Sequence, residues 1–197
     1  SYYWRLKRHW LKITDGGKVK IKSKIFDEAG MNRVVIRMGH EITEKNKGAD
    51  RMALIGMRTR GEFLARRIAE KIKEFEGVEI PLGILDVSFY RDDTRAKLKQ
   101  PVVRSTHIPF DLNEKKIILV DDVLFTGRSV RAALDEIMDF GRPAKVELAV
   151  LIDRGHRELP IQPNYVGKSV TTSINEEIRV KMKEHDHIDE VLLIETD

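Results

Sequence analysis

The chain contains no cysteine. That excludes a disulfide framework, a thiol nucleophile and any zinc site built on sulfur. No apolar run approaches the roughly 18 residues that a membrane-spanning helix needs. The first residues lack the apolar centre of a secretory signal, so a cytoplasmic protein is expected. Neither a G-x-x-x-x-G-K-[ST] loop nor a G-x-G-x-x-G fingerprint occurs, which excludes those two phosphate cradles. Internal repeats and low-complexity tracts are also missing. Acid is nearly missing from the leading segment: residues 1–24 hold eight Lys or Arg and one acid, a net +7. The other 173 residues hold 28 bases and 31 acids, a net −3, so the overall +4 describes the leading segment and not the body. A polyanion partner for the whole molecule does not follow from it; a local basic face remains open.

What is present is an ordinary globular balance, 41% hydrophobic and 35% charged over 197 residues, enough for one domain with a real core. Met31, Val34, Val35, Met38 and Ile42 recur at helical spacing between Asp27 and Asn46, with Gly48 as a stop. Leu64, Ile68, Ile72 and Phe75 mark a second helix that ends at Gly77. Val130, Ala133, Leu134, Ile137 and Met138 mark a third, ended by Gly141 and Pro143. Short apolar runs at 52–56, 83–89, 117–120, 146–152 and 191–195 read as strands. Strands alternating with helices predict a mostly parallel α/β sheet covered on both faces, with ligands at the carboxyl ends of its strands. Residues 90–109 are long, charged and poor in apolar side chains, the profile of a binding loop or lid.

The sharpest signal is KKIILVDDVLFTGRSVRAALDEI, residues 115–137. Two adjacent carboxylates, Asp121 and Asp122, follow an apolar strand, and a Thr-Gly-Arg-Ser turn then opens a helix. Backbone N–H groups at a helix N-terminus, with the hydroxyls of Thr126 and Ser129, suit a phosphate. Gly127 lets the backbone approach closely and take positive φ. The carboxylates repel a phosphate, so they suit sugar hydroxyls joined to it, or a hydrated Mg²⁺. A ribose 5-phosphate is the implied ligand.

That stretch resembles the phosphoribosyl-diphosphate (PRPP) signature of type I phosphoribosyltransferases. GMRTRG, residues 56–61, resembles the same family's pyrophosphate loop. DRGHRELP (153–160), YRDD (90–93), PNYVGK (163–168), IFDE (25–28) and HEITEKNKG (40–48) are similar to one branch, the bifunctional pyrimidine operon attenuation regulators and uracil phosphoribosyltransferases. The resemblance covers roughly residues 24–197, so residues 1–22 read as a basic extension and 23–197 as the transferase domain. The extension is a natural arm, an upstream addition or an expression remnant, and trimming it should leave transferase activity intact. The resemblance implies a type I phosphoribosyltransferase fold with a small hood. It implies UMP synthesis from uracil and PRPP with Mg²⁺ carried on the PRPP and no direct metal ligand. It also implies UMP-responsive binding of a pyrimidine-operon messenger RNA stem-loop, and a homodimer or larger homo-oligomer.

Carried over by residue, Thr59 and Arg60 would hold the diphosphate, and Arg104 would approach the phosphates as the 90–108 loop closes. Asp121, Asp122, Val123, Leu124, Phe125, Thr126, Gly127, Arg128 and Ser129 would form the ribose-phosphate site, with Asp121, Asp122 and Arg60 as catalytic groups. Arg154 and Ile178 would border the base, with His156 and Arg157 near the same mouth. Arg37, His40, Lys45, Arg154, His156, Arg157 and Lys168 are the candidates for an RNA face. Gln162 and Ile174 depart from that face, standing where the family commonly carries basic residues. Two other readings stay open, a purine-base transferase and an RNA regulator with little catalysis. Asp92 and Asp93 read as loop solvation, or as a metal-linked pair. Asp153–Arg154 reads as a plain ion pair. EHDHIDE (184–190) reads as a solvated turn, or as a metal tract through His185 and His187.

Overall fold

The computed structural model describes residues 10–12, 18–87 and 106–196. In chain order the elements are β1 (Trp10–Lys12), β2 (Lys18–Phe26), α1 (Glu28–Asn46), β3 (Met52–Met57), α2 (Arg60–Glu76) and β4 (Leu82–Leu85). They continue with β5 (Lys116–Leu124), α3 (Arg128–Phe140), β6 (Lys145–Asp153), β7 (Tyr165–Ser169), β8 (Glu176–Lys181), α4 (Lys183–Asp186) and β9 (Glu190–Thr196). Five strands form a parallel sheet in the order β4-β3-β5-β6-β7, and four form a separate antiparallel sheet in the order β1-β2-β9-β8. The parallel sheet is the expected α/β core; the antiparallel sheet is the hood.

Central strands read as continuous apolar runs because helices cover both faces. All six residues of β3 are buried. One core layer joins α1 and α2 to the sheet through Met31, Met38, Leu64, Ile68, Ile118 and Val120. The other joins α3 through Ile117, Leu119, Val130, Ala133 and Ile137. Each fully buried Leu or Ile contributes about 1.5–3 kcal/mol. α1 begins where Asp27 accepts the Gly30 amide at 2.7 Å, and α2 stops where Gly77 turns left-handed at φ 70°.

Several sequence expectations need correction. The central strand does not stop at 120: β5 runs on to Leu124, paired with β6 through Leu124↔Asp153, so both acids lie inside the strand. Backbone pairing outweighs the poor strand propensity of aspartate there. The 83–89 strand is shorter within the described residues, as β4 ends at Leu85. The last strand is not part of the parallel sheet; β9 lies between β2 and β8 in the hood. Periodicity identifies a strand but carries no information on which sheet receives it. β2 also spans the expected boundary at 22/23, since it starts at Lys18.

Candidate active site

The N-terminus of α2 is brought against β5 by a glycine. A Cβ on Gly61 would sit 2.6 Å from the Val120 carbonyl oxygen, so only glycine lets the helix start beside Asp121. Gly127 does the equivalent for α3: it stands at the N-cap with φ 91° and has no side chain of its own to cap the first turn. The amides at that helix start are therefore placed to receive an anion. Thr126 accepts the Arg128 amide at 3.3 Å, and its carbonyl accepts the amides of Glu158 and Leu159 at 3.0 and 3.3 Å. The turn is braced from behind by the 153–160 segment.

These pieces surround one pocket of about 490 Å³. Its walls include Arg60 from α2, every residue from Asp121 to Val130, Arg154 from the end of β6, and Glu177 to Val180 from β8 of the hood. Asp121 is 2% exposed and accepts the Asp122 amide at 2.9 Å, while Asp122 accepts that of Val123 at 2.9 Å. Arg154 is buried. It donates to Thr172 Oγ1 at 3.2 Å and to the Glu176 carbonyl at 2.7 Å, and its guanidinium lies 4.1 Å from the centre of the Phe125 ring. Desolvation pulls its pKa below the ordinary arginine value, as expected for a cation held mainly by carbonyls and a ring.

Of the expected site residues, the pocket gathers Arg60, Asp121 through Ser129, Arg154 and Ile178. Thr59 stands at the N-cap of α2, outside the pocket wall. Arg128 turns toward Glu158, 2.6 Å away. Arg104, YRDD with Asp92 and Asp93, and most of the expected lid fall outside the described residues. Asp153 pairs with Arg157 at 2.6 Å, not with Arg154.

The expected RNA residues come from several elements. Arg37 donates to the Val166 carbonyl at 3.3 Å and also to that of Gly167; Lys45 sits 5.0 Å over the Tyr165 ring and Lys168 lies on β7. These three share the α1–β7 side. His40 is exposed on α1 but stacks on Phe75 at 4.0 Å, toward α2. Arg154 faces the pocket, His156 Nε2 bonds the Thr172 carbonyl at 2.6 Å, and Arg157 donates to the carbonyls of Phe125 and Ile161 at 2.9 Å each. Arg154 is buried, whereas His156 is exposed and Arg157 half-buried, and the bonds of all three brace the pocket mouth.

Several pocket residues had no sequence signal. Glu177, Arg179 and Val180 enter only because β8 folds over the sheet. EHDHIDE is exposed from Glu184 to Ile188 apart from half-buried Asp186, yet its acids are engaged: Glu184 and Asp189 bind Arg67, and Asp186 binds Arg60.

A parallel sheet carrying a glycine-led helix start, paired acids and an arginine beneath an antiparallel hood defines the phosphoribosyltransferase class. The phosphoribosyl transferase domain matches residues 22–185. The bifunctional protein PyrR of Pelotomaculum thermopropionicum is 54% identical over 175 residues, 89% of this chain and 97% of that protein. The bifunctional protein PyrR of Acetivibrio thermocellus is 56% identical over 167 residues, 85% of this chain and 91% of that one. The chain belongs to the bifunctional PyrR family of phosphoribosyltransferases. In fold it is similar to the hypoxanthine phosphoribosyltransferase of Trypanosoma cruzi, with a TM-score of 0.68 at 14% identity over 90% of this chain and 98% of that one.

Proposed function

We propose that the chain transfers the phosphoribosyl group of PRPP to N1 of uracil, giving UMP and diphosphate, and that it binds a pyrimidine-operon messenger RNA stem-loop in response to UMP. The observation that carries the transferase reading is the convergence on one pocket of the α3 start, the two acids of β5 and Arg60. The amides and hydroxyls at Thr126–Ser129 take the 5-phosphate, and Asp121 and Asp122 take the ribose hydroxyls. Arg60 faces the diphosphate. The bond from C1′ to the diphosphate oxygen breaks and the bond from C1′ to N1 forms; the N1 proton passes to solvent. Positive charge accumulates on the ribose ring as diphosphate departs, and the two carboxylates stabilise it in place. Thr59, at the head of α2, supports the diphosphate side. Arg154 and Ile178 border the base.

Mg²⁺ fits as an ion arriving with its substrate, where it neutralises the diphosphate charge. Asp121 and Asp122 are the carboxylates available to its hydration shell.

The choice of uracil and the RNA activity rest on kinship with the PyrR relatives. The RNA face on this reading is the α1–β7 side, with Arg37, Lys45 and Lys168. β7 pairs with β6, and Arg154 follows the end of β6, so pocket and face lie on neighbouring strands. Turnover of uracil with Mg-PRPP tests the enzyme: replacing Asp121 and Asp122 together by Asn should abolish UMP formation in a folded protein. Near-normal turnover in that variant would remove the ribose assignment. Gel shift of a pyrimidine-operon stem-loop should tighten with UMP; an affinity that UMP never changes would remove the regulatory half.

A further inference from the structure

Helix α2 presents Arg60 and Arg67 seven residues apart, about two turns, so both leave the same side of the helix. Each meets a carboxylate of the hood segment that contains α4. Arg67 donates to Glu184 at 2.6 and 2.8 Å and to Asp189 at 2.7 and 3.0 Å. Asp189 in turn accepts the Lys183 amide at 2.8 Å. This anchors α4 to α2. One anchor further toward the pocket, Asp186 takes Arg60 Nε at 3.0 Å and Nη2 at 2.8 Å, and also accepts the Met182 amide at 2.9 Å. Arg60 lines the pocket and Asp186 does not.

A guanidinium has five N–H donors in a rigid fork. Asp186 takes the side edge of Arg60, through Nε and Nη2, and leaves the end edge, through Nη1 and the second Nη2 proton. We infer that Asp186 is a positioning residue: it fixes the side edge of Arg60 so that the end edge is set toward the diphosphate of PRPP. The inference rests on the transferase reading above. Burial opposes ionisation of Asp186, but the bonds from Arg60 and the Met182 amide hold its pKa below the ordinary aspartate value, so it is anionic at neutral pH. An arginine held at two points loses less freedom when substrate arrives than one that swings from its backbone. Asp186 comes from the hood segment and Arg60 from the core, so the pair also ties that segment to the helix that carries Arg60.

The test separates the two substrates. Asp186→Asn keeps the side-chain size and removes the charge; it should raise KM for PRPP, and the calorimetric Kd for PRPP, by at least about 10-fold. Its kcat should stay within about 3-fold and its KM for uracil within about 2-fold, because the contact is to Arg60 alone. In an Arg60→Lys background, Asp186→Asn should add less than about 2-fold, since the pair is already broken. Asp186→Glu, which returns the charge, should recover most of the lost PRPP affinity. On the wild-type protein, the Arg60 Nε–H resonance, assigned by Arg60→Lys, should stay protected from water exchange both without and with PRPP. That measurement stands even if Asp186→Asn does not fold. A folded Asp186→Asn with unchanged PRPP KM would overturn the inference. So would a uniform loss in kcat and both KM values, or an Arg60 resonance that PRPP releases to solvent. Wild-type turnover of uracil with PRPP is scored separately, so loss of the transferase reading is distinguishable from loss of this one.

Discussion

Glu147 is a carboxylate placed on β6 where water hardly reaches, 7% exposed, at the opposite end of the strand from Arg154. Burial alone would raise its pKa; hydrogen bonds from Lys145 at 2.8 Å, the Tyr165 hydroxyl at 2.6 Å and Asn46 Nδ2 at 3.0 Å win, and hold it at about 2. A folded-state pKa below the unfolded value means stability that is complete above about 4.5 and is lost as pH falls toward 2. Acid titration of the folded protein should therefore show a cooperative loss across that window, and Glu147→Gln should flatten it while lowering stability at pH 7. An unchanged acid profile in Glu147→Gln would assign the window to other carboxylates. Gly61 makes a second prediction for a single residue. Gly61→Ala forces a methyl onto the Val120 carbonyl, at a cost of about 1–3 kcal/mol, and pushes the α2 start away from Asp121. PRPP affinity should fall along with the melting temperature; a normal PRPP KM would show that the close approach is not needed.

Among the elements, the hood reaches further into the chain start than family resemblance implies. Lys20 pairs with Glu195 at 3.5 Å, Lys22 with Glu176, and Lys24 with Glu190 at 3.0 Å, so part of the basic leading segment is answered by acids of β8 and β9. Each exposed pair adds little alone, but Glu176 also accepts the Ser173 amide at 2.8 Å, and its carbonyl receives Arg154. Removing residues 1–9 should leave stability and turnover intact, whereas removing 1–22 takes β1 and cuts β2 and should lower the melting temperature by about 3–6 °C. Equal stability of the two truncations would show that β2 begins, in effect, at residue 23. Much of this was legible in the sequence. Helices α1, α2 and α3 follow their apolar spacing, and 121–129 stands at the pocket because a strand, a turn and a helix are local. The hood was legible only through the family resemblance, and its strands were not. β8 alternates Glu177 and Arg179 with buried Ile178 and Val180, a short run that periodicity alone does not assign to a site. Asp186 reaches Arg60 across 126 residues of chain, and nothing in EHDHIDE names its partner.

For the whole molecule, the surplus of positive charge lies at the chain start while the body is net acidic, so RNA recognition has to be local. Arg37→Gln with Lys168→Gln should weaken binding of the stem-loop and make the log–log salt slope shallower by about 0.7–0.9 for each phosphate no longer neutralised, with transferase activity retained. An unchanged slope would move the RNA face away from the α1–β7 side. The exposed Ile174, 72% accessible, lies between β7 and β8 and adds no charge there. Arg60, Asp121, Asp122, Arg154 and the α3 start share one pocket, and on the reading proposed above that pocket makes UMP. The decisive experiment is kcat/KM with saturating Mg-PRPP for uracil, hypoxanthine, guanine and adenine, side by side on the full chain. Uracil should be the best substrate by at least about 10-fold, a difference of roughly 1.4 kcal/mol in transition-state binding. A higher kcat/KM for any purine, or no PRPP-dependent turnover of uracil, would contradict a UMP-forming pocket.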